Sequence, residues 1–522
     1  MFFTLAIAAA SASACAALTE RALATSADVM PIPGPASVAW RSHDECVTLL
    51  RWGDGSSRVS HGETIWADGS LIRARTSITR VDPVYAAEVP GAVILSDRAM
   101  WAASVADRLD SLDPNLVCAL LNTGFPLGDT TPWRGVRALP PDADARAASG
   151  RLTVQAGSLR PGDSPASRPH GSVAGPVASA LVEAVAPLKE AGETVRLSLT
   201  GGKDSRLVAA ALVTAGVPVQ ASTHGFDEHP DVTVAAEVAA RLGIDHTVTT
   251  PAAPGQETDV LARLRATVLV ADGMLSAFEN VGRVDPHHSP ALTIGGHGGE
   301  LLRGGYAETA VGRRAASIRA VEILRRLTTK HLGLIRRPPA AAYVASLAPW
   351  TGSVIARGSL SMLDDFYLVN RAGRWSAAAR QAYLLRERLT QSLFAEPVVR
   401  AARAVPLASR TNGTLIKSAI TELCPDLADV PFAGKPAKGS VPVTFDWRRQ
   451  YGEAITDFFR SYVLDQGASG GLFDIVNREA VEQLLTPPHT DRPTVWSLAT
   501  LACLFSADYR NARSPVPRLP VT

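Results

Sequence analysis

Residues 197–206 read Leu197-Ser198-Leu199-Thr200-Gly201-Gly202-Lys203-Asp204-Ser205-Arg206. An apolar run (Val195, Leu197, Leu199) ends in two glycines and a polar cluster, and a helical pattern begins at once in Leu207-Val208-Ala209-Ala210-Ala211-Leu212. This order predicts a strand, a tight turn and a helix N-terminus. The first N–H groups of a helix have no intrahelical partners and lie at the positive end of its dipole. Glycine permits φ > 0 and a close backbone approach, so a polyphosphate fits where a side chain would intrude. Ser198, Ser205 and Thr200 add hydroxyls. Asp204 does not suit a pure anion site unless a divalent cation bridges it to the phosphates. The stretch therefore reads as an ATP pyrophosphate loop that works with magnesium. It is neither GxxxxGKS/T nor GxGxxG. Taken alone, it could also be a plain glycine turn between a buried strand and a helix.

A second loop argues against the plain turn. Ile294-Gly295-Gly296-His297-Gly298-Gly299-Glu300-Leu301-Leu302-Arg303-Gly304-Gly305-Tyr306 again places a carboxylate in a glycine-rich turn after an apolar run, here Ala291, Leu292 and Ile294. In an open α/β sheet such turns lie at the carboxyl ends of strands, where ligands bind. Magnesium is commonly held by one or two carboxylates with phosphate and water, so Asp204 and Glu300 would suffice. A lone loop Glu would read as a solvated carboxylate.

The first loop resembles the SGGxDS signature of the ATP-pyrophosphatase synthetases, in particular the asparagine synthetase superfamily. Thr223-His224-Gly225-Phe226, Pro230-Asp231, the run Ala235, Ala236, Val238, Ala239 and Leu242, then Gly243 and His246 are similar to a further segment of that family. The second loop resembles its SGEGADELFGGY, with Glu300 at the magnesium aspartate and His297 at the residue near the acceptor amine. The resemblance spans roughly residues 90–440. It implies an α/β fold: an N-terminal degenerate glutaminase-like (Ntn) β-sandwich, then an ATP-pyrophosphatase domain with a parallel sheet flanked by helices. It also implies ATP at Leu197, Ser198, Thr200, Gly201, Gly202, Lys203, Asp204, Ser205, Thr223 and Gly296, and magnesium (Mg2+) at Asp204 and Glu300. Relatives bring a lysine from a C-terminal loop to the α-phosphate. The matching segment runs from Lys417 to Gly439; its spacing differs, so Lys435 is preferred as catalytic and Lys438 is its rival. His297 can accept the amine's proton, since imidazole titrates near neutrality, or can simply bond a loop carbonyl.

The Gly-, Pro- and Ser-rich stretch 158–171 predicts a linker between a first domain, 1–157, and a second, 172–522. Short β-like runs precede it: Val38 to Trp40, Cys46 to Trp52, Ala92 to Leu95 and Leu152 to Val154, with a helix around Leu116 to Leu121. Helical patterns follow it, from Val173 to Leu188 and near 232–242, 258–271, 313–333 and 376–395. Leu363 to Trp375 resembles the family's helix beside the acceptor pocket. Its Asp364 and Asp365 read either as substrate contacts or as first-turn helix acids. Residues 1–18 are apolar but lack a positive n-region, and read as a buried strand and turn rather than a signal segment. The glutaminase-like domain normally uses an N-terminal Cys. Here Phe2 and Phe3 follow Met1, so the expected first domain has no nucleophile and the amine comes from elsewhere than glutamine.

Composition bounds the partners. The chain has 522 residues, 46% hydrophobic and 20% charged, with net charge +2, which implies no nucleic-acid partner. Arg313-Arg314 and Arg336-Arg337 read as solvated faces or a docking surface for an acidic peptide. Five scattered cysteines without metal spacing suit a reducing, cytoplasmic setting. No transmembrane segment is expected.

Within the superfamily, Gly-Gly-Lys-Asp-Ser-Arg and Glu-Leu-Leu-Arg-Gly-Gly-Tyr look most like the macrolactam cyclases of lasso peptides. That likeness implies a ligase joining a precursor core peptide's N-terminal amine to an Asp or Glu side chain, with a leader-binding protein and a leader peptidase as partners. A β-lactam synthetase, an ammonia-dependent asparagine synthetase and a non-catalytic nucleotide- or peptide-binding scaffold remain the alternatives.

Overall fold

A computed structural model describes residues 3–31, 36–52, 64–157, 173–250, 257–282, 289–309, 316–350, 359–385, 387–434, 448–449, 451–487, 491–512 and 514–520. The N-terminal half runs β1 (Phe3–Ala9), α1 (Ala12–Val29), β2 (Ala36–Arg41), β3 (Val47–Trp52), β4 (Ile65–Asp68), β5 (Leu71–Arg75), β6 (Tyr85–Val89), β7 (Ala92–Ser96), α2 (Ala99–Val105), α3 (Pro114–Thr123), β8 (Val136–Ala138), β9 (Ala143–Ala148) and β10 (Arg151–Ala156). Two antiparallel sheets result, in the orders β2-β3-β1-β7-β6-β8 and β10-β9-β5-β4.

The alternation of β1 sets this sandwich. Phe3, Leu5 and Ile7 join a core shared with α1 and α2, while Ala6 and Ala8 face the second sheet together with Ile65, Ile72, Ala145 and Ala147. Phe3–Ala9 is thus the buried strand the sequence suggested. The residues after it form a helix rather than a turn: Ser11 caps it by accepting from the Ala14 N–H, and the alanine-rich run that follows is a strong helix former.

The C-terminal half contains α4 (Gly175–Glu190), β11 (Val195–Ser198), α5 (Lys203–Thr214), β12 (Val219–His224), α6 (Pro230–Leu242), β13 (Asp245–Thr249), β14 (Glu257–Thr258), α7 (Val260–Val270), β15 (Ser289–Gly295), α8 (Gly299–Leu302), β16 (Glu387–Thr390) and β17 (Leu519–Pro520). Apart from the short β14–β17 pair, its strands form one parallel sheet in the order β13-β12-β11-β15-β16. β11 lies between β12 and β15, so the winding direction reverses between β11 and β15. That reversal opens a crevice at their carboxyl ends.

The helix expected over 376–395 stops at Tyr383. Glu387–Thr390 instead pairs parallel with β15, Leu389 against Thr293 and Thr390 against Ile294. Leu384 to Arg388 are good helix formers, but an open sheet edge outweighs local propensity there. Within the helical pattern near 313–333 the described helix is Ala316–Thr328, residues 313–315 lying outside the described residues. Leu363 to Trp375 spans the end of an α-helix, Ser359–Phe366, and most of a π-helical stretch, Tyr367–Ser376. The expected linker, 158–171, lies outside the described residues, as do Arg313 and Arg314; Arg336 and Arg337 are exposed.

The two halves share one apolar core, in which Trp101, Leu116 and Trp133 pack with Val268, Leu498 and Trp496. Buried arginines fasten the join. Arg98 pairs with Asp272, both about 1% exposed or less, and its Nε donates to that carboxylate at 2.8 Å. Arg80 donates to the carbonyls of Gly128, Leu139, Val369 and Gly373. Asp364 and Asp365 are also buried: Arg410 bonds Asp364 at 2.6 Å and Arg403 bonds Asp365 at 2.6 Å. Neither acid lies in the first turn of its helix, so the helix-dipole reading fails; both neutralise arginines, Arg410 buried and Arg403 partly so.

Candidate active site

The β11–α5 turn is built as a cradle. Leu197 and Leu199 anchor it with fully buried side chains, so Leu197 can offer a ligand only its backbone. Ser198 and Thr200 are exposed. The Ser205 hydroxyl accepts from the Thr200 N–H at 3.1 Å and lies 3.0 Å from the Thr200 hydroxyl, bracing the turn from within. Gly202 is the N-cap of α5 and brings no side-chain cap, which leaves the first-turn amides to the crevice. Lys203 lies against Gly413. The Thr223 hydroxyl is already engaged, donating to the Leu199 carbonyl at 2.9 Å and bonding His246 Nε2 at 2.8 Å. Its place is to tie β12 and β13 to the loop.

Arg206 was absent from the expected site residues, and it fixes the loop's far side. It is fully buried and donates to the Val430 carbonyl at 2.7 Å and the Pro431 carbonyl at 2.8 Å, while its guanidinium stacks 4.2 Å from the Phe432 ring. The Ala433 N–H in turn donates to the Gly201 carbonyl at 2.9 Å. Chain 430–433 is thus stitched to the β11–α5 turn shortly before Lys435 and Lys438 in sequence. Both lysines lie outside the described residues.

The second loop meets the first face to face. A Cβ on Gly296 would fall 2.4 Å from the Ser205 backbone nitrogen, and one on Gly299 would fall 2.0 Å from Asp204 Cγ. Only glycine admits this approach. Gly298, with φ 101°, caps α8 over the Phe394 ring, and Gly305, with φ 54°, has Tyr367 packed on its bare face. His297 is exposed on this loop, beside Gly295.

The two carboxylates share a guanidinium. Arg303 contacts Asp204 Oδ2 at 3.2 Å and Glu300 Oε1 at 3.7 Å, and its other terminal nitrogen contacts Glu308 at 3.0 Å. The Tyr367 hydroxyl bonds Glu300, and its pKa is raised chiefly by burial and then by that carboxylate's charge. Asp204 Oδ1 is buried and has no hydrogen-bond partner among the described residues. An orphaned carboxylate oxygen beside a second carboxylate is a hard oxygen donor set, which fits a magnesium ion bound with phosphate. Beyond Glu300 lie Tyr306 and Tyr367, edge to face with centroids 5.1 Å apart, and Arg371 stacked 3.6 Å above Trp375.

Burial raises the Asp204 carboxyl to about 6; Arg303 pulls it down and Glu300 pushes it up. With a folded-state pKa above the ordinary 3.8, the folded protein keeps this proton where the unfolded chain has lost it. The group's contribution to stability therefore falls as pH rises from about 4 to about 6. Metal needs the ionised form, so the sign for binding is opposite. Magnesium-dependent affinity for a non-hydrolysable ATP analogue should climb by about tenfold per pH unit below 6 and level off above it. Calorimetric titrations from pH 5 to 8 check this, and a flat profile would refute it.

The asparagine synthase family model matches residues 176–506, a span containing both loops. No curated protein matches the chain.

Proposed function

The chain belongs to the asparagine synthase family, and from that premise we propose that this ATP-dependent amide ligase closes a macrolactam ring in a peptide. The carrying observation is the meeting of two glycine loops at the β11/β15 reversal, with Asp204 and Glu300 on one guanidinium. In the first half-reaction a substrate Asp or Glu carboxylate oxygen attacks the α-phosphorus of ATP. The α–β bridging P–O bond breaks, pyrophosphate leaves and an acyl-adenylate forms. In the second, the peptide's N-terminal amine attacks the acyl carbon, AMP departs, and the nitrogen gives up a proton.

This chain's residues divide the work. The α5 amides and the Gly201-Gly202 turn receive the phosphate tail. Asp204 and Glu300 would hold magnesium, which when bound offsets the charge on the leaving pyrophosphate. Lys435, with Lys438 as its rival, is proposed to reach the α-phosphate from the segment that Arg206 stitches to the loop. His297 is proposed to accept the amine's proton.

Two features support a peptide rather than glutamine-derived ammonia as amine source. β1 is buried from Phe3 to Ala9, and its one hydroxyl residue, Thr4, is 2% exposed with its N–H bound by Asp97. The wall beyond Glu300 is aromatic and carries Arg371, which suits a substrate larger than an amino acid. A leader-binding protein and a leader peptidase would supply that substrate, in the cytoplasm where ATP is available. No described helix is long and apolar enough to cross a membrane.

The test is mass spectrometry of a core peptide with a free N-terminus and an internal Asp or Glu, incubated with the protein, ATP and magnesium. Loss of one water with AMP release is expected. AMP release only with free amino acids would favour a small-molecule synthetase, and no AMP with any substrate would favour a scaffold. His297→Ala should leave ATP–pyrophosphate exchange within about threefold while slowing ring closure by about 10²-fold. An equal fall in both would remove the histidine from the second half-reaction.

A further inference from the structure

Three carboxylates converge on one guanidinium in this crevice. Arg303 is the C-cap of α8, three residues after Glu300, so a single turn supplies a proposed metal ligand and a competitor for it. One terminal nitrogen lies 3.2 Å from Asp204 and 3.7 Å from Glu300, and the other is 3.0 Å from Glu308. Its Nε has no hydrogen-bond partner among the described residues, so the fork is held by its terminal nitrogens. The side chains of Arg303 and Asp204 are about one-fifth exposed, 20% and 22%, which keeps the pairing strong.

We propose that Arg303 closes the divalent-cation position in the nucleotide-free protein, so that metal enters only together with a polyphosphate. The inference rests on the proposed reading of Asp204 and Glu300 as metal ligands. A solvated divalent ion and the guanidinium both need oxygens of these two carboxylates, and they cannot occupy that space together. Magnesium sheds its water reluctantly, so alone it competes poorly with a preformed, charge-assisted pair. A polyphosphate changes the balance from both sides. It supplies further oxygens to the metal, and it gives the displaced nitrogen a new anion, for which a planar guanidinium is well suited. Glu308 keeps its hold on the other nitrogen throughout. The arrangement also keeps Asp204 and Glu300 close before any ligand arrives.

Mn2+ uptake by the full-length protein, followed by electron paramagnetic resonance, tests the guard. Without nucleotide, Arg303→Leu should bind Mn2+ at least about tenfold more tightly than wild type. With a non-hydrolysable ATP analogue the order should reverse, wild type holding Mn2+ about tenfold more tightly than the variant. Arg478→Leu makes the same change in net charge at an exposed guanidinium that pairs with Glu482 and belongs to neither glycine loop, so it should shift Mn2+ binding by less than about threefold. Should Arg303→Leu fail to fold, Arg303→Lys serves, because an ammonium has a single nitrogen and cannot stay anchored on Glu308 while spanning Asp204 and Glu300, so it should admit Mn2+ several-fold more readily than wild type. Equal Mn2+ affinity of wild type and the Arg303 variant, or an equal effect of Arg478→Leu, overturns the guard. Binding of the analogue with no Mn2+ in any form overturns the metal-ligand reading beneath it and leaves the nucleotide site standing.

Discussion

Asp204→Asn should abolish ATP–pyrophosphate exchange while leaving the protein at least as stable as wild type. Asn keeps the shape of the side chain, so the close approach of Gly296 and Gly299 is undisturbed. It removes the charge that a bound metal needs, and metal stabilisation of a transferring phosphoryl group amounts to several kcal/mol. At 1.36 kcal/mol per factor of ten, the loss in exchange rate is about 10³-fold or more. Stability moves the other way. A carboxyl pushed to about 6 by burial is ionised at pH 7 against the preference of its surroundings, so the neutral amide relieves a strain of the order of 2 kcal/mol. Arg303 keeps Glu300 and Glu308 as partners. Exchange assays and denaturant melts on the same preparation check both halves. Exchange within tenfold of wild type would remove Asp204 from the metal site, and a large loss of stability would make it a structural acid.

That opposition between stability and activity bears on what the sequence could reveal. The two glycine loops were legible because their chemistry is local: strand, turn and helix start follow one another within a dozen residues. Their meeting was also legible, since parallel sheets place such turns at one end. The third party to the site was not. Arg303 stands in the quoted stretch, but its role depends on Asp204, which is 99 residues away; the only local signal was its i,i+3 spacing from Glu300. Arg206 likewise looked like an oddity in the motif, because the carbonyls it bonds belong to residues 430 and 431. Asp364 and Asp365 misled for the same reason, their partners Arg403 and Arg410 lying some forty residues on. β16 failed differently. Its residues favour a helix, and only the exposed edge of β15 makes them a strand. Periodicity cannot register an edge that the rest of the chain provides.

Gly296→Ala should separate the two loops, with the largest combined effect of any single methyl group in the crevice. The added Cβ would lie 2.4 Å from the Ser205 backbone nitrogen and 2.8 Å from the Asp204 carbonyl carbon. Neither atom can turn aside as a side chain would, so one loop must retreat. Overpacking of this kind costs about 1–3 kcal/mol of stability. Function should suffer more, because a shift of about 1 Å away from the chemistry can already cost about 10²-fold. Here the displaced group is the turn that carries Asp204 and the α5 amides proposed to receive the phosphates. The expected result is a lower unfolding midpoint and loss of measurable affinity for an ATP analogue by calorimetry. Gly333→Ala is the control: nothing lies within 4 Å of its would-be Cβ, so it should stay within about 0.5 kcal/mol of wild type and bind nucleotide normally. If Gly296→Ala bound the analogue as wild type does, the two turns would not be acting as one receptacle. Asp204 and Glu300 would then belong to separate structures, and the ligase assignment for this crevice would fail with them.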